Sequence, residues 1–428
     1  MIFENIAVLK ADGTYLPSCY VGIQGAYIRY VGKTPPAGDY GERIDGRNRV
    51  LLPGFVNAHT HVAMTLMRGY GEDLPLQSWL FDRIFPFEDK LYPQAVYWGS
   101  MLGIAEMLMT GTTSFTDMYY FCEDTVRAVV ECGIKANIGR GISCFDADKR
   151  LVDLPAYSET KALIAQYHGA EDGRILVDVA PHAEYTTRPD ILYDAAQLAA
   201  EHNLRMHIHL SETASEQKAC VGRYGKTPTR LLEEVGMLER PLTVAHGVWL
   251  TDDDVACLSG HDVTLAHCAV SNLKLGSGVA PVDKYRKMGL SVAIGTDSAA
   301  SNNALDMLNE MRMTALLAKG IDRDAGALPA SDVLYMGTRA GALSQGRADC
   351  GDIAVGCRAD LVMVDTADIG LCPANAPLSN IVYGAGSRAV QMTVVDGCTV
   401  YRNGEFLTLD IERVRFEVQH AVNAIITP

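Results

Sequence analysis

The sequence predicts a (β/α)8 (TIM) barrel carrying a small β-sandwich made from both ends of the chain, and three observations predict it. Through the middle, short apolar strands alternate with longer amphipathic helical stretches eight times over. Both ends instead carry strand-length segments of period two, punctuated by Gly and Asp. Histidines fall at the C-terminal ends of the proposed central strands, the end at which such barrels hold their active sites. An open doubly wound sheet is the competing architecture.

Composition sets the bounds. A chain of 428 residues is long enough for a sizeable core, and 48% hydrophobic with 21% charged residues is the make-up of an ordinary globular protein. The net charge of −15 argues against nucleic acid or an anionic membrane as partner. No apolar run nears the ~20 residues needed to span a bilayer. The start, MIFENIAVLKADG, lacks the basic region and apolar core of a signal peptide. The 11 cysteines are odd in number, scattered and without a C-x-x-C pair, which points to reduced thiols in a cytoplasmic protein.

Taken in order, residues 6–9, 20–23 and 27–31 read as short strands separated by turns at Asp12-Gly13 and Gly25. Residues 359–364, 389–395 and 399–401 repeat the style, with turns at Asp396-Gly397 and Asn403-Gly404. Neither end alone has the strands for a stable sheet, so the two are expected to pair into one domain, 1–53 with 350–428, around a barrel of residues 54–349. The barrel strands are expected at 55–58, 112–117, 136–141, 175–180, 205–210, 242–245, 263–266 and 291–295. Amphipathic stretches such as 97–109, 189–202 and 228–235 lie between them.

The strand ends carry the chemistry. The first ends in His59-Thr60-His61, the fourth in Pro181-His182, the fifth in His207-Ile208-His209-Leu210-Ser211-Glu212, the sixth in His246-Gly247, the seventh in His267 and the eighth in Gly295-Thr296-Asp297. Side chains two apart on a strand share a face, so His59 and His61 project together. With His209 and Asp297 they make a three-nitrogen, one-oxygen set suited to a single Zn2+, with Fe2+ or Mn2+ also compatible. A water on such an ion is acidified towards a pKa of about 7. Glu212, three residues after His209, is placed to shuttle its proton, although a carboxylate in a helix first turn is also simply dipole-stabilised. His246 can orient the nucleophile or serve as a hydrogen-bonded strand end. His207 reads as a support or packing residue.

These residues resemble a family. Pro53-Gly54-Phe55-Val56-Asn57-Ala58-His59-Thr60-His61, His209-Leu210-Ser211-Glu212, His246-Gly247 and Gly295-Thr296-Asp297 are similar to the amidohydrolase superfamily. Met67-Arg68-Gly69, Trp79 with Glu88, Pro181-His182 and the run from Ser271 to Gly278 place the resemblance in its 5-methylthioadenosine/S-adenosylhomocysteine deaminase branch, across essentially the whole chain. The resemblance implies hydrolytic deamination of an adenine nucleoside: S-adenosylhomocysteine, 5′-methylthioadenosine, adenosine or 5′-deoxyadenosine. In it Glu212 delivers a proton to ring N1, while His246 and Asp297 steady the tetrahedral adduct. It also implies that Glu88 accepts the ribose hydroxyls and that Trp79 walls the base, beside the bland readings of a solvated carboxylate and a core tryptophan. His182, Arg140, Arg150 and Ser301 are then substrate contacts, the arginines near the 5′ substituent.

The fourth-strand region, Val177-Asp178-Val179-Ala180-Pro181-His182, has no lysine of the kind that bridges two metals elsewhere in the superfamily, so one ion is expected. Rival activities are those of a triazine chlorohydrolase or a guanine or cytosine deaminase, and, outside enzymes, a metal-binding protein without catalysis. A small-molecule partner is expected, with homo-oligomerisation left open.

Overall fold

The computed structural model describes residues 1–426. Eight parallel strands form the barrel: Phe55–Thr60, Thr112–Tyr119, Lys135–Ile142, Ile175–Pro181, Met206–Leu210, Leu242–His246, Val263–His267 and Ser291–Ile294. They are the eight expected from the sequence, most running slightly further at the C-terminal end. Each pairs in parallel with its successor, in registers such as Ser114↔Lys135 and Leu242↔Val263. Helices cover the outside, so strands such as Phe55–Thr60 are buried along their whole length.

The ladder runs from the first strand to the eighth, and the seam between those two is closed near the site. The Asp297 amide donates to the His59 carbonyl at 2.9 Å. Asn57 donates to Thr296 Oγ1 at 2.7 Å and accepts from the Thr296 amide at 3.0 Å. Gly295 is required by this closure, because a β-carbon there would lie 2.8 Å from the His59 nitrogen and 2.9 Å from its carbonyl oxygen. At the other mouth the helical segments Met336–Ala340 and Gly341–Ser344 act as a plug. Gln345, just after it, accepts from Ser114 Oγ at 2.5 Å and donates to Thr116 Oγ1 at 3.1 Å.

The two ends of the chain pair as expected, in a nine-stranded mixed sheet. Its joint is Arg49–Pro53, which runs antiparallel to Leu361–Asp365 on one side and parallel to Ile2–Leu9 on the other. Phe3, Ile6, Val21, Leu51, Leu361 and Met392 fill its core. The C-terminal helix Ile411–Ile426 leaves this sheet and buries Val414, Val418 and Ala421 against the barrel helix Pro93–Met109. Among the described residues no helix is long and apolar enough to cross a membrane, and the 11 cysteines are free thiols.

Candidate active site

Every predicted ligand stands at or just beyond a strand's C-terminal end, and a backbone group or a buried side chain fixes each ring. His61 Nδ1 donates to the Met118 carbonyl at 2.5 Å, and His209 Nδ1 to the His182 carbonyl at 2.7 Å. A carbonyl can only accept, so in both rings Nδ1 carries the proton and Nε2 the lone pair. His59 Nδ1 meets His207 Nε2 at 2.8 Å, which turns His59 Nε2 inward as well.

The inward atoms converge. His61 Nε2 and His209 Nε2 are 3.2 Å apart, and Asp297 Oδ1 lies 3.4 Å from both His59 Nε2 and His61 Nε2. Two lone pairs facing each other at that distance repel unless a cation lies between them. His59 Nε2, fully buried, has no hydrogen-bond partner among the described residues. Orphaned buried nitrogens of this kind are rare in folded proteins, and here they form a donor set that fits one divalent ion. Burial pushes His59 down to about 4 and lowers His61 and His209 too, so all three stay neutral and ready to ligate. Burial alone would raise Asp297, but it is held well below the usual carboxylate range, with His246, itself raised by the carboxylates around it, facing it.

Around this cluster the supports are specific. Asp297 Oδ2 accepts from Ser271 Oγ at 2.6 Å and from Ser301 Oγ at 2.9 Å, which leaves Oδ1 for the ion. His246 Nδ1 meets Asn272 Oδ1 at 2.8 Å and aims Nε2 towards Glu212, 3.9 Å away. Glu212 Oε1 accepts from Ser277 Oγ at 3.0 Å. The carboxylate of Glu216 holds the turn beneath it, accepting from the amides of Ser211 at 2.7 Å and Glu212 at 2.8 Å. Ser211, His246 and Asp297 all adopt left-handed backbone, at φ +50°, +72° and +58°. Strain of this sort is held only where the surrounding structure enforces it. Desolvation raises Glu212 above its ordinary range, and the carboxylates of Glu212 and Asp297 raise His246 against the pull of burial.

A cavity opens above the cluster. Its floor is His61, His209, Glu212, His246 and Asp297, and its roof is the helical turn Leu76–Trp79 with the segment up to Glu88. Trp79 is buried in that roof. Glu88 is half-buried in the wall, and desolvation pushes its carboxyl up to about 7.

The sequence-derived residues thus divide. His59, His61, His209 and Asp297 come together, with Glu212 and His246 beside them, and Trp79, Glu88 and His182 line the cavity. His182 is oriented by Thr186 Oγ1 at 2.9 Å and packs its ring 4.6 Å from that of His209. Arg140 stands in an outer groove that opens from the cavity. Arg150 is not brought to the site: it lies at the surface, paired with Asp194 at 2.8 Å. Ser301 is buried behind Asp297 and orients it rather than facing the cavity. His207 supports His59, and His267 stays outside the cavity lining. Ser271, Asn272 and Ser277, which hold Asp297, His246 and Glu212, lie inside the Ser271 to Gly278 run, whose residues gave a signal without a role. The Met118 and His182 carbonyls leave no trace in the sequence, because any residue supplies a carbonyl.

Comparison with known proteins agrees with this geometry. Residues 50–400 match the model of the amidohydrolase family. A 5-methylthioadenosine/S-adenosylhomocysteine deaminase of Syntrophomonas wolfei is 38% identical over 431 residues, covering 100% of this chain and 99% of its own. A 5′-deoxyadenosine deaminase of Methanosphaera stadtmanae is 42% identical over 388 residues, covering 90% of each. The crystal structure of an adenosine deaminase from Xanthomonas campestris, with bound zinc, superposes with a TM-score of 0.93 at 32% identity, covering 100% of this chain and 98% of the other.

Proposed function

The chain belongs to the amidohydrolase family, in its 5-methylthioadenosine/S-adenosylhomocysteine deaminase branch, as a hydrolase acting on C–N bonds; from that premise we propose that it replaces the 6-amino group of an adenine nucleoside by oxygen, with loss of ammonia. The observation that carries this reading is the joining of two features in one cavity. A convergent His59, His61, His209 and Asp297 cluster lies on the floor beside Glu212 and His246, and Trp79 and Glu88 stand across the space from it. A free base has no ribose for Glu88 to hold.

A divalent ion held by His59, His61, His209 and Asp297, zinc in this reading, would supply an acidified water and local positive charge. The chain's own residues do the rest. Glu212, raised and held by Ser277, takes the proton of the attacking water and passes it to ring N1. His246, fixed by Asn272, donates from Nε2 to the oxygen newly bonded to C6 and so stabilises charge that develops only along the reaction. As the C6–N bond breaks, the emptied Glu212 carboxylate takes the remaining proton from the C6 hydroxyl and gives it to the amino group, so that C6 becomes a carbonyl and ammonia leaves. Trp79 covers the base, Glu88 accepts the ribose hydroxyls, and His182 closes the side of the cavity. Free thiols fit a reducing compartment, the cytoplasm. The antiparallel joint of Arg49–Pro53 with Leu361–Asp365 supports a division into residues 1–53 with 350–428 and a barrel of 54–349.

Metal-loaded protein offered adenosine, 5′-methylthioadenosine, 5′-deoxyadenosine, S-adenosylhomocysteine, guanine, cytosine and a chlorotriazine tests the reading. Loss of adenine absorbance with release of ammonia from the nucleosides is expected. Turnover confined to a free base or the triazine would overturn it.

A further inference from the structure

Past Glu88, Tyr120 and His182 the cavity continues into a groove towards the surface, and those three residues line both spaces. With the base over the histidine cluster and the ribose at Glu88, the 5′ substituent enters this groove, so the role of the groove rests on the nucleoside reading. Its apolar lining includes Leu91 and Leu163, which are buried, and Phe121 and Phe145, which are exposed. Its carboxylate side chains are Glu88, Asp89, Glu123, Asp124 and Glu159, against the single basic side chain of Arg140.

Arg140 is already engaged. Its Nε donates to Glu159 and its Nη1 to the Gly141 carbonyl, while its guanidinium lies 4.8 Å from the centre of the Tyr120 ring. The other arginine expected near the 5′ substituent, Arg150, is held by Asp194 outside the groove. A carboxylate entering here would meet acidic neighbours and an Arg140 whose charge Glu159 already balances. Like-charge contacts of that kind discriminate strongly between ligands.

We propose that this groove favours 5′ substituents that are neutral or cationic over those bearing a carboxylate, and that Glu159, by occupying Arg140, determines that specificity. The full-length, metal-loaded enzyme is compared by kcat/KM on 5′-methylthioadenosine, S-adenosylhomocysteine and the carboxyl methyl ester of S-adenosylhomocysteine, together with Glu159→Gln on the first two. Wild-type enzyme should favour methylthioadenosine over S-adenosylhomocysteine by about tenfold or more, and the ester should recover much of that difference. Glu159→Gln, a change at a half-exposed side chain, should raise the ratio of S-adenosylhomocysteine to methylthioadenosine turnover by about tenfold. Equal or better use of S-adenosylhomocysteine by wild type, an ester no better than the acid, or an unmoved ratio in Glu159→Gln would each overturn the proposal. Failure to deaminate any of the three nucleosides would instead remove the nucleoside reading, and this inference with it.

Discussion

At the N-terminal mouth of the barrel Lys135 is almost fully buried, and its ammonium meets both oxygens of Asp360 at 2.5 Å and Asp396 at 2.6 Å. At the C-terminal mouth His59 is equally buried, yet its Nε2 meets no hydrogen-bond partner among the described residues. The first cluster is closed on itself: burial alone would lower the Lys135 ammonium, and the facing carboxylates raise it above its ordinary value. It joins the barrel strand Lys135–Ile142 to the terminal sheet, since the Asp396 amide also donates to Asp360 Oδ1 at 2.9 Å. The second cluster leaves its atoms open towards one point, on backbone held in the left-handed region at His246 and Asp297. Buried charge that is fully paired serves the fold, whereas buried donors that converge without partners mark a place for a ligand.

Breaking each cluster should therefore give different losses. The largest effect on activity is expected from His209→Ala. Metal content measured by elemental analysis should collapse, with kcat falling roughly a thousandfold or more, as loss of several kcal/mol of charge stabilisation requires. Full metal occupancy in that variant would take His209 out of the ligand set. Lys135→Met attacks the other end and leaves Asp360 buried without its ion-pair partner, while Asp396 keeps Arg358 at 3.0 Å; breaking a buried pair in this way costs about 3–5 kcal/mol. Its melting temperature should drop while metal content and kcat/KM of the folded protein are kept. Loss of metal there would abolish the distinction between the two ends.

The third effect, confined to a pH window, concerns the support of the Asp297 loop. Glu310 is buried, accepts from Asn302 Nδ2 at 2.6 Å, and is pushed up to about 8 by desolvation from an ordinary value near 4.5. The fold disfavours its charged form, so stability is greatest where the group is protonated and declines as pH rises from about 4.5 to about 8. Glu310→Gln stays neutral throughout. Its denaturation midpoint should gain on the wild type across that window, by roughly 1.4 kcal/mol per pH unit at most. A constant difference between the two proteins would mean that Glu310 is already ionised in the fold.

The fold is legible because parallel barrel strands are apolar runs of regular length, and all eight stand out between helical stretches. The histidine and aspartate cluster is legible for a related reason: strand ends fix direction, so His59, His61, His209 and Asp297 can be placed on one rim from the sequence alone. The hidden parts lie in loops and long side chains. Arg150 sits in a loop between strand and helix, and nothing local decides whether its guanidinium turns inward or, as found, to Asp194. Ser301 does belong with Asp297, but as its hydrogen-bond donor rather than as a substrate contact. Glu216 gives no signal, because an acidic residue in a helix first turn is common.

The most direct test of the central claim, that Glu212 moves the proton while the histidine cluster holds the metal, is Glu212→Gln assayed for both properties on one preparation. Metal occupancy should match the wild type, while deamination of 5′-methylthioadenosine should fall by about 10²–10⁴-fold, the range for a lost general acid–base. Retained turnover at full occupancy would contradict the account.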